Sequence, residues 1–133
     1  MQNNQPLVTI ITAVFNAELS IERAIKSVIN QTYKNIEYII IDGGSTDNTV
    51  ELIKKYQHHI KFWISEPDNG LADAWNKGLQ HANGKIIGLL NADDFYELEA
   101  LQKVILNINP DNYEITYGIC NFINNQEIVI KKK

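Results

Sequence analysis

Apolar, β-rich runs alternate with helical stripes roughly every 25 residues along this chain, and that alternation restricts its fold more than any other feature. Residues 7–15 (LVTIITAVF) are nearly continuous in apolar character, as expected of a strand buried on both faces. Ile21, Ala24, Ile25, Val28 and Ile29 then recur at helical spacing on one stripe. Residues 36–41 (IEYIII) predict a second buried strand, closed by Asp42-Gly43-Gly44. Residues 46–56 begin with small polar and acidic groups and reach Lys54 and Lys55 near their end, a polarity that suits a helix. A short strand at 61–65 (KFWIS) stops at Pro67, and a helix over 71–82 ends before Gly84. A fourth strand at 85–90 (KIIGLL) is followed by a helix over 97–108. Beyond Pro110, residues 114–122 and 127–130 read as two strands turning at Asn124-Asn125, a C-terminal β-hairpin that would extend the sheet. Repeated strand–helix units imply an α/β fold with a mainly parallel sheet flanked by helices.

The chain has 133 residues, 21 of them isoleucine, which supplies one core and leaves no linker or repeat to divide it. A single domain over residues 1–133 is expected. Net charge −4 and a single arginine, Arg23, exclude the electrostatic footprint of a nucleic-acid binder. The lone Cys120 has no partner for an internal disulfide, and no Cys/His spacing suggests zinc. Residues 1–6 (MQNNQP) lack the basic start and apolar run of a secretory leader. The longest apolar run, residues 86–90, is far too short to span a bilayer. A cytoplasmic location follows as the expectation, with peripheral contact at the inner face of the membrane left open.

In open α/β sheets, ligands bind at the carboxyl ends of the strands. The polar residues gather there: Asn16 and Glu18 after the first strand, Asp42 and Asp47 after the second, Glu66-Pro67-Asp68 after the third, Asn91-Ala92-Asp93-Asp94 after the fourth. Asp47 reads equally as a helix cap, and Asp68-Asn69-Gly70 as a turn before a helix. The adjacent pair Asp93-Asp94 is harder to explain as a plain loop, because neighbouring carboxylates repel unless solvated, protonated or bound to a cation. With no His or Cys nearby, the donors are hard oxygens, which suit Mg²⁺ or Mn²⁺ completed by water and substrate phosphate. The glycines of Asp42-Gly43-Gly44-Ser45 let a ligand approach the backbone. A divalent-metal site for a nucleoside diphosphate is the reading from the residues alone.

Four segments in register carry a resemblance: VTIITAVFNAE, SVINQTYKNIEYIIIDGGSTDNT, SEPDNGLADAWNKGLQHANGKIIGLLNADD and the later ITYG. Together they resemble family 2 glycosyltransferases with the Rossmann-like GT-A fold, in a branch that builds surface polysaccharides and modifies lipid-linked sugars. The resemblance implies inverting transfer of a sugar from a nucleotide donor, most often UDP-linked, to a saccharide or lipid-linked acceptor. By position it implies that Thr12, Ala13 and Asn16 border the nucleotide. It places Asp42 at the first acid of an Asp-Asp-x-Ser element whose acids contact base and ribose. Asp93 then matches a ribose contact and shared metal ligand, Asp94 the main metal ligand, and Asp68, Asp73 and Asn76 the lining of the donor side. Two departures stand out: Gly43 replaces the second acid of that element, and Asn91 replaces the first acid of a frequent Asp-x-Asp. Residues 67–77 hold no arginine to balance a diphosphate, and Lys77 reads as a solvated helix lysine.

Relatives of this kind carry their acceptor pocket and catalytic base in a second half, so no base is assigned here. The chain is expected to hold the donor half without the acceptor half. A nucleotide-sugar binding module without turnover is the alternative. A sugar-phosphate nucleotidylyltransferase is a further one, although it expects a glycine-rich basic loop where Asn16-Ala17-Glu18 stands. The same loop lacks the G-x-G-x-x-G of a dinucleotide-binding dehydrogenase.

Overall fold

A computed structural model describes residues 5–109, 111–112, 121–123 and 129–132. Four strands form one fully parallel sheet in the order β3-β2-β1-β4. These are β1 (Val8–Val14), β2 (Ile36–Asp42), β3 (Phe62–Ser65) and β4 (Ile86–Asn91). Helices α1 (Ile21–Ile29), α2 (Thr49–Lys55), α3 (Leu71–His81) and α4 (Ala100–Asn107) follow them in turn, with a 3₁₀ turn at Gln57–His59 after α2. All seven residues of β1 are buried, which is why residues 7–15 show no alternation. Val8 pairs with Ile36 on one side and with Ile86 on the other, so β1 lies inside the sheet and β4 at its edge.

The alternate faces of β1 and β2 build two cores. Ile10, Val14, Tyr38 and Ile40 pack with Ile21, Ala24, Ile25 and Val28 of α1, Ile53 of α2 and Leu101 of α4. Ile11, Ala13, Ile39 and Ile41 pack with Ala74 of α3 on the opposite face. Each fully buried isoleucine contributes about 1.5–3 kcal/mol relative to exposure, so this doubly covered sheet dominates stability. Helix α3 comes close enough that a Cβ on Gly78 would lie 2.5 Å from Ile11 Cγ2. It covers β1 and β2, while Ile87 and Leu89 of β4 remain 40% and 45% exposed.

At the amino ends of the strands, Glu37 is buried and fully engaged. It accepts from Thr9 Oγ1 (2.8 Å), Asn83 N (2.7 Å) and Asn83 Nδ2 (3.0 Å). Burial pushes its carboxyl up, but the bonds from Asn83 and Thr9 outweigh this and leave it below its ordinary 4.5. A carboxyl lowered on folding stabilises above its unfolded pKa and loses that stabilisation as pH falls through the folded value. Thermal melts of wild type and Glu37→Gln should therefore converge as pH drops below about 4.5. Parallel curves across that range would show that Glu37 does not drive the acid response.

The parallel sheet flanked by helices agrees with the expected fold class. The C-terminal hairpin is not seen as expected. Its turn and most of its first strand, residues 113–120 and 124–128, lie outside the described residues. The short strands β5 (Asn121–Ile123) and β6 (Val129–Lys132) pair antiparallel as a separate sheet and do not extend the main one. Among the described residues no helix is long and apolar enough to cross a membrane.

Candidate functional site

After β1 the chain moves outward to β2 and β3, then returns to place β4 on the other side of β1. The carboxyl ends of β1 and β4 thus flank the topological switch point, where neighbouring loops diverge and leave a crevice. A cleft of about 640 Å³ lies there, walled by Ala13 to Ser20 on one side and by Asn91, Ala92 and Asp93 on the other, with Asp47 and Leu71 at its rim. Phe15 and Leu19, 62% and 99% exposed, stand on the β1 wall. Of the nucleotide contacts expected, Ala13, Asn16 and Asp93 line this cleft. Thr12 does not. Its side chain is 0% exposed on the α1 face and shares a 2.8 Å hydrogen bond with the buried Tyr38 hydroxyl.

The loops after β1 and β2 are fastened to each other by side chains. Asn16 takes a left-handed backbone (φ 47°), and its Oδ1 accepts from Thr46 N at 2.8 Å. Ser45 Oγ accepts from Asn16 N at 2.8 Å and donates to Asp42 Oδ1. Asp42 Oδ2 accepts from Gly44 N (3.1 Å), Ser45 N (2.9 Å) and Ser65 Oγ (2.6 Å). Asp42 is 0% exposed, so it organises the loop that borders the cleft rather than presenting its carboxylate to solvent. Asp47 accepts from Thr49 N (2.9 Å) and Glu18 N (3.2 Å), and its bonds to Thr49, the side chain first, hold its carboxyl below the usual range. Asp47 thus takes the first N–H of α2 from outside the helix, while Asn48 occupies the cap position without a side-chain bond.

The loop between β3 and α3 is a second built unit. Asp68 Oδ1 accepts from Gly70 N, and Asp73 Oδ2 accepts from Asn69 N, both at 3.0 Å. Lys77 is no free helix lysine. Its Nζ lies 3.2 Å from Glu66 and 3.7 Å from Asp73, and donates to Pro67 O at 3.4 Å. Burial lowers its ammonium pKa, but Glu66, Asp73 and Asp68 outweigh this and raise it. Asn76 is exposed on α3. Asp68, Asp73 and Asn76 are not among the residues that line the cleft: Asp68 lies in the loop after β3, and Asp73 and Asn76 lie on α3, which packs over β1 and β2.

Asp93 and Asp94 follow β4 in an exposed turn closed by Asp94 N donating to Asn91 O at 3.1 Å. Partial burial, then the charge of Asp93, raises the Asp94 carboxyl, while the Asn91 side chain and Arg23 pull it down. Arg23 reaches this place from α1, its guanidinium 4.6 Å from the Phe95 ring centroid. Asn91 Oδ1 is buried without a hydrogen-bond partner. Sequence reasoning missed Arg23, whose distance from the acid pair along the chain gave no signal. It also missed Gln31, which is fully buried and holds the segment after the acids: its Nε2 donates to Glu97 O (2.7 Å), and its Oε1 accepts from Leu101 N (3.1 Å).

Among the described residues no group of three His, Cys, Asp or Glu side chains is placed to hold a metal by itself. Two adjacent carboxylates beside an unpartnered amide oxygen nevertheless fit Mg²⁺ or Mn²⁺. Magnesium in particular takes one or two protein carboxylates and completes its shell with water and phosphate. The donor set is all oxygen, as these ions require.

Comparison with known proteins bears on this geometry. The family model described as Glycosyl transferase family 2 matches residues 9–133. An uncharacterized glycosyltransferase of Haemophilus influenzae is 38% identical over 130 residues, covering 92% of this chain and 52% of that protein. The Escherichia coli UDP-Glc:alpha-D-GlcNAc-diphosphoundecaprenol beta-1,3-glucosyltransferase WfgD is 36% identical over 126 residues, covering 94% of this chain and 50% of its own length. The chain spans about half the length of these two relatives. Among solved structures, the mannosyltransferase PcManGT from Pyrobaculum calidifontis, in complex with GDP-Man and Mn²⁺, aligns with a TM-score of 0.65 at 27% identity, covering 71% of this chain and 29% of that one.

Proposed function

Because the chain belongs to glycosyl transferase family 2, we propose that it forms the donor-binding part of a metal-dependent, inverting glycosyltransferase. It takes a UDP-linked sugar and serves transfer to a hydroxyl of a saccharide or lipid-linked acceptor at the cytoplasmic face of a membrane. One observation carries this: Asp93 and Asn91, whose side-chain oxygen is unpartnered, line the switch-point cleft of a parallel sheet, where α/β folds take nucleotides, and Asp94 follows in the same turn. The glucosyltransferase WfgD, with a UDP-Glc donor in its name, supports the choice of nucleotide.

In this reading Asp94, with Asp93 and Asn91 Oδ1 beside it, would hold Mg²⁺ or Mn²⁺, and the ion supplies positive charge for the diphosphate leaving group. The remaining work falls to the chain's own side chains. Asp93 accepts from ribose hydroxyls at the cleft wall, and the exposed Phe15 ring offers an apolar face to the base. Asn16 and Asp42 keep the β1 and β2 loops in one arrangement, so the cleft is formed before ligand arrives. Asp73 and Lys77 brace the donor side, with Asn76 exposed on the same helix. We assign neither the catalytic base nor the acceptor pocket to the residues of this donor-binding part.

Calorimetric titration of UDP with and without Mn²⁺ tests the proposal. UDP should bind, and Mn²⁺ should tighten it by at least about tenfold, roughly 1.4 kcal/mol. A folded protein that ignores UDP in the presence of Mn²⁺ would contradict it.

A further inference from the structure

Gly43 has no conformational reason to be glycine. Gly44 and Gly70 adopt left-handed backbones (φ 88° and 106°), but Gly43 does not. What leaves little room for a side chain at 43 is the carboxylate facing it. A Cβ at that position would lie 3.0 Å from Asp68 Oδ2, 3.1 Å from Oδ1 and 3.2 Å from Cγ. An acid at 43 would both crowd Asp68 and repel it, so the two positions have room for one carboxylate. Asp68 is held in place there: Oδ1 accepts from Gly70 N, while Asp73 and Lys77 brace the same loop. Its Oδ2, against Gly43, carries none of the bonds that fix the loop.

We propose that Asp68 is the residue that reads the nucleobase, Gly43 being the space that lets a carboxylate from the β3–α3 loop stand where an acid on β2 would otherwise project. This rests on the donor reading above and names its specificity determinant. Placement supports it. Neighbouring strands are about 4.8 Å apart, so in the order β4-β1-β2-β3 Asp68 lies across β1 and β2 from the Asp93-Asp94 pair. A nucleoside diphosphate with its phosphates at the acid pair would run across β1 and bring its base to this carboxylate. An ionised carboxylate only accepts, so the base must present an N–H, and in uracil that group is N3–H.

The test is calorimetry at fixed Mn²⁺ with UDP and N3-methyl-UDP. The wild type should prefer UDP by about 10- to 100-fold, the scale of a hydrogen bond to a charged group. Asp68→Ala should lose a similar factor in UDP affinity and treat the two ligands alike. Asp68→Asn keeps an oxygen for Gly70 N, which guards against a simple folding failure, and should also lose most of the preference. The exchange variant Gly43→Asp with Asp68→Ala should regain it, while Gly43→Asp alone should not bind better than the wild type. If UDP binds and both Asp68 variants keep wild-type affinity and preference, the base-reading assignment is wrong and the donor reading stands. Failure of the exchange variant to recover the preference would overturn the shared position. A wild-type protein that binds no UDP would sink both.

Discussion

An Asp94→Asn protein should melt no lower than the wild type, yet gain no UDP affinity from Mn²⁺. The two halves of that result have separate causes. Burial and the adjacent Asp93 charge both oppose ionisation of Asp94, so a neutral amide relieves a strain that the folded chain otherwise carries. The same change removes the carboxylate proposed as the main metal ligand, leaving Asp93 and the unpartnered Asn91 amide oxygen. A bound metal ion is worth several kcal/mol of charge stabilisation in group transfer, and each 1.36 kcal/mol is tenfold in rate. Transfer measured on a preparation that contains the acceptor-binding half should accordingly fall by about 100-fold or more. Differential scanning fluorimetry and calorimetry together check the prediction. A lowered melting temperature with an intact Mn²⁺ response would refute it.

Asp42→Ala should act in the opposite way, on the fold first. Gly44 N, Ser45 N, Ser45 Oγ and Ser65 Oγ all donate to this fully buried carboxylate. Truncation leaves several donors without an acceptor, the partly buried Gly44 and Ser45 among them, while water can reach the exposed Ser65. The cost of each unsatisfied buried group, about 1–3 kcal/mol, makes a total near 3 kcal/mol a conservative figure. For a domain of this size that lowers the melting temperature by about 10 °C. Because Ser45 also anchors Asn16, UDP affinity should fall with stability, through a loosened β1 loop rather than a lost ligand contact. Denaturant titration gives the first number, and calorimetry below the melting transition gives the second. An Asp42→Ala protein of native stability that fails only to bind UDP would return Asp42 to the role of a direct ligand contact.

The contrast between these two acids shows what the amino-acid sequence does and does not reveal. Alternating runs disclosed the parallel sheet, its helices and the edge where polar residues gather, because periodicity and strand burial are local properties. Strand order is not local, so the flanking of the cleft by β1 and β4 had to come from the structure. Side-chain direction inside a continuous apolar run is equally hidden: Thr12 and Ala13 are neighbours, but one points to Tyr38 and the other lines the cleft. The sequence pattern sets two helix starts early, at 46 and 97 against the observed Thr49 and Ala100. The polar groups there serve other partners, since Asn16 accepts from Thr46 N and Gln31 from Leu101 N. An acid that binds a ligand and an acid that clamps a loop look the same in a sequence. Burial is what separates Asp42 from Asp93.

The register of β1 has a kinetic consequence. Val8 meets Ile36 through one short crossover, but meets Ile86 only after three helices and two further strands have been accommodated. Contacts of such large sequence separation bear the heaviest loop-closure entropy, and parallel pairings of this kind form slowly. The β1–β2 unit can assemble early, whereas the β1–β4 seam, and with it the cleft, is completed late. The cleft therefore belongs to the seam of largest sequence separation, and a nucleotide bound there, as proposed, would stabilise the step on which the sheet's completion depends.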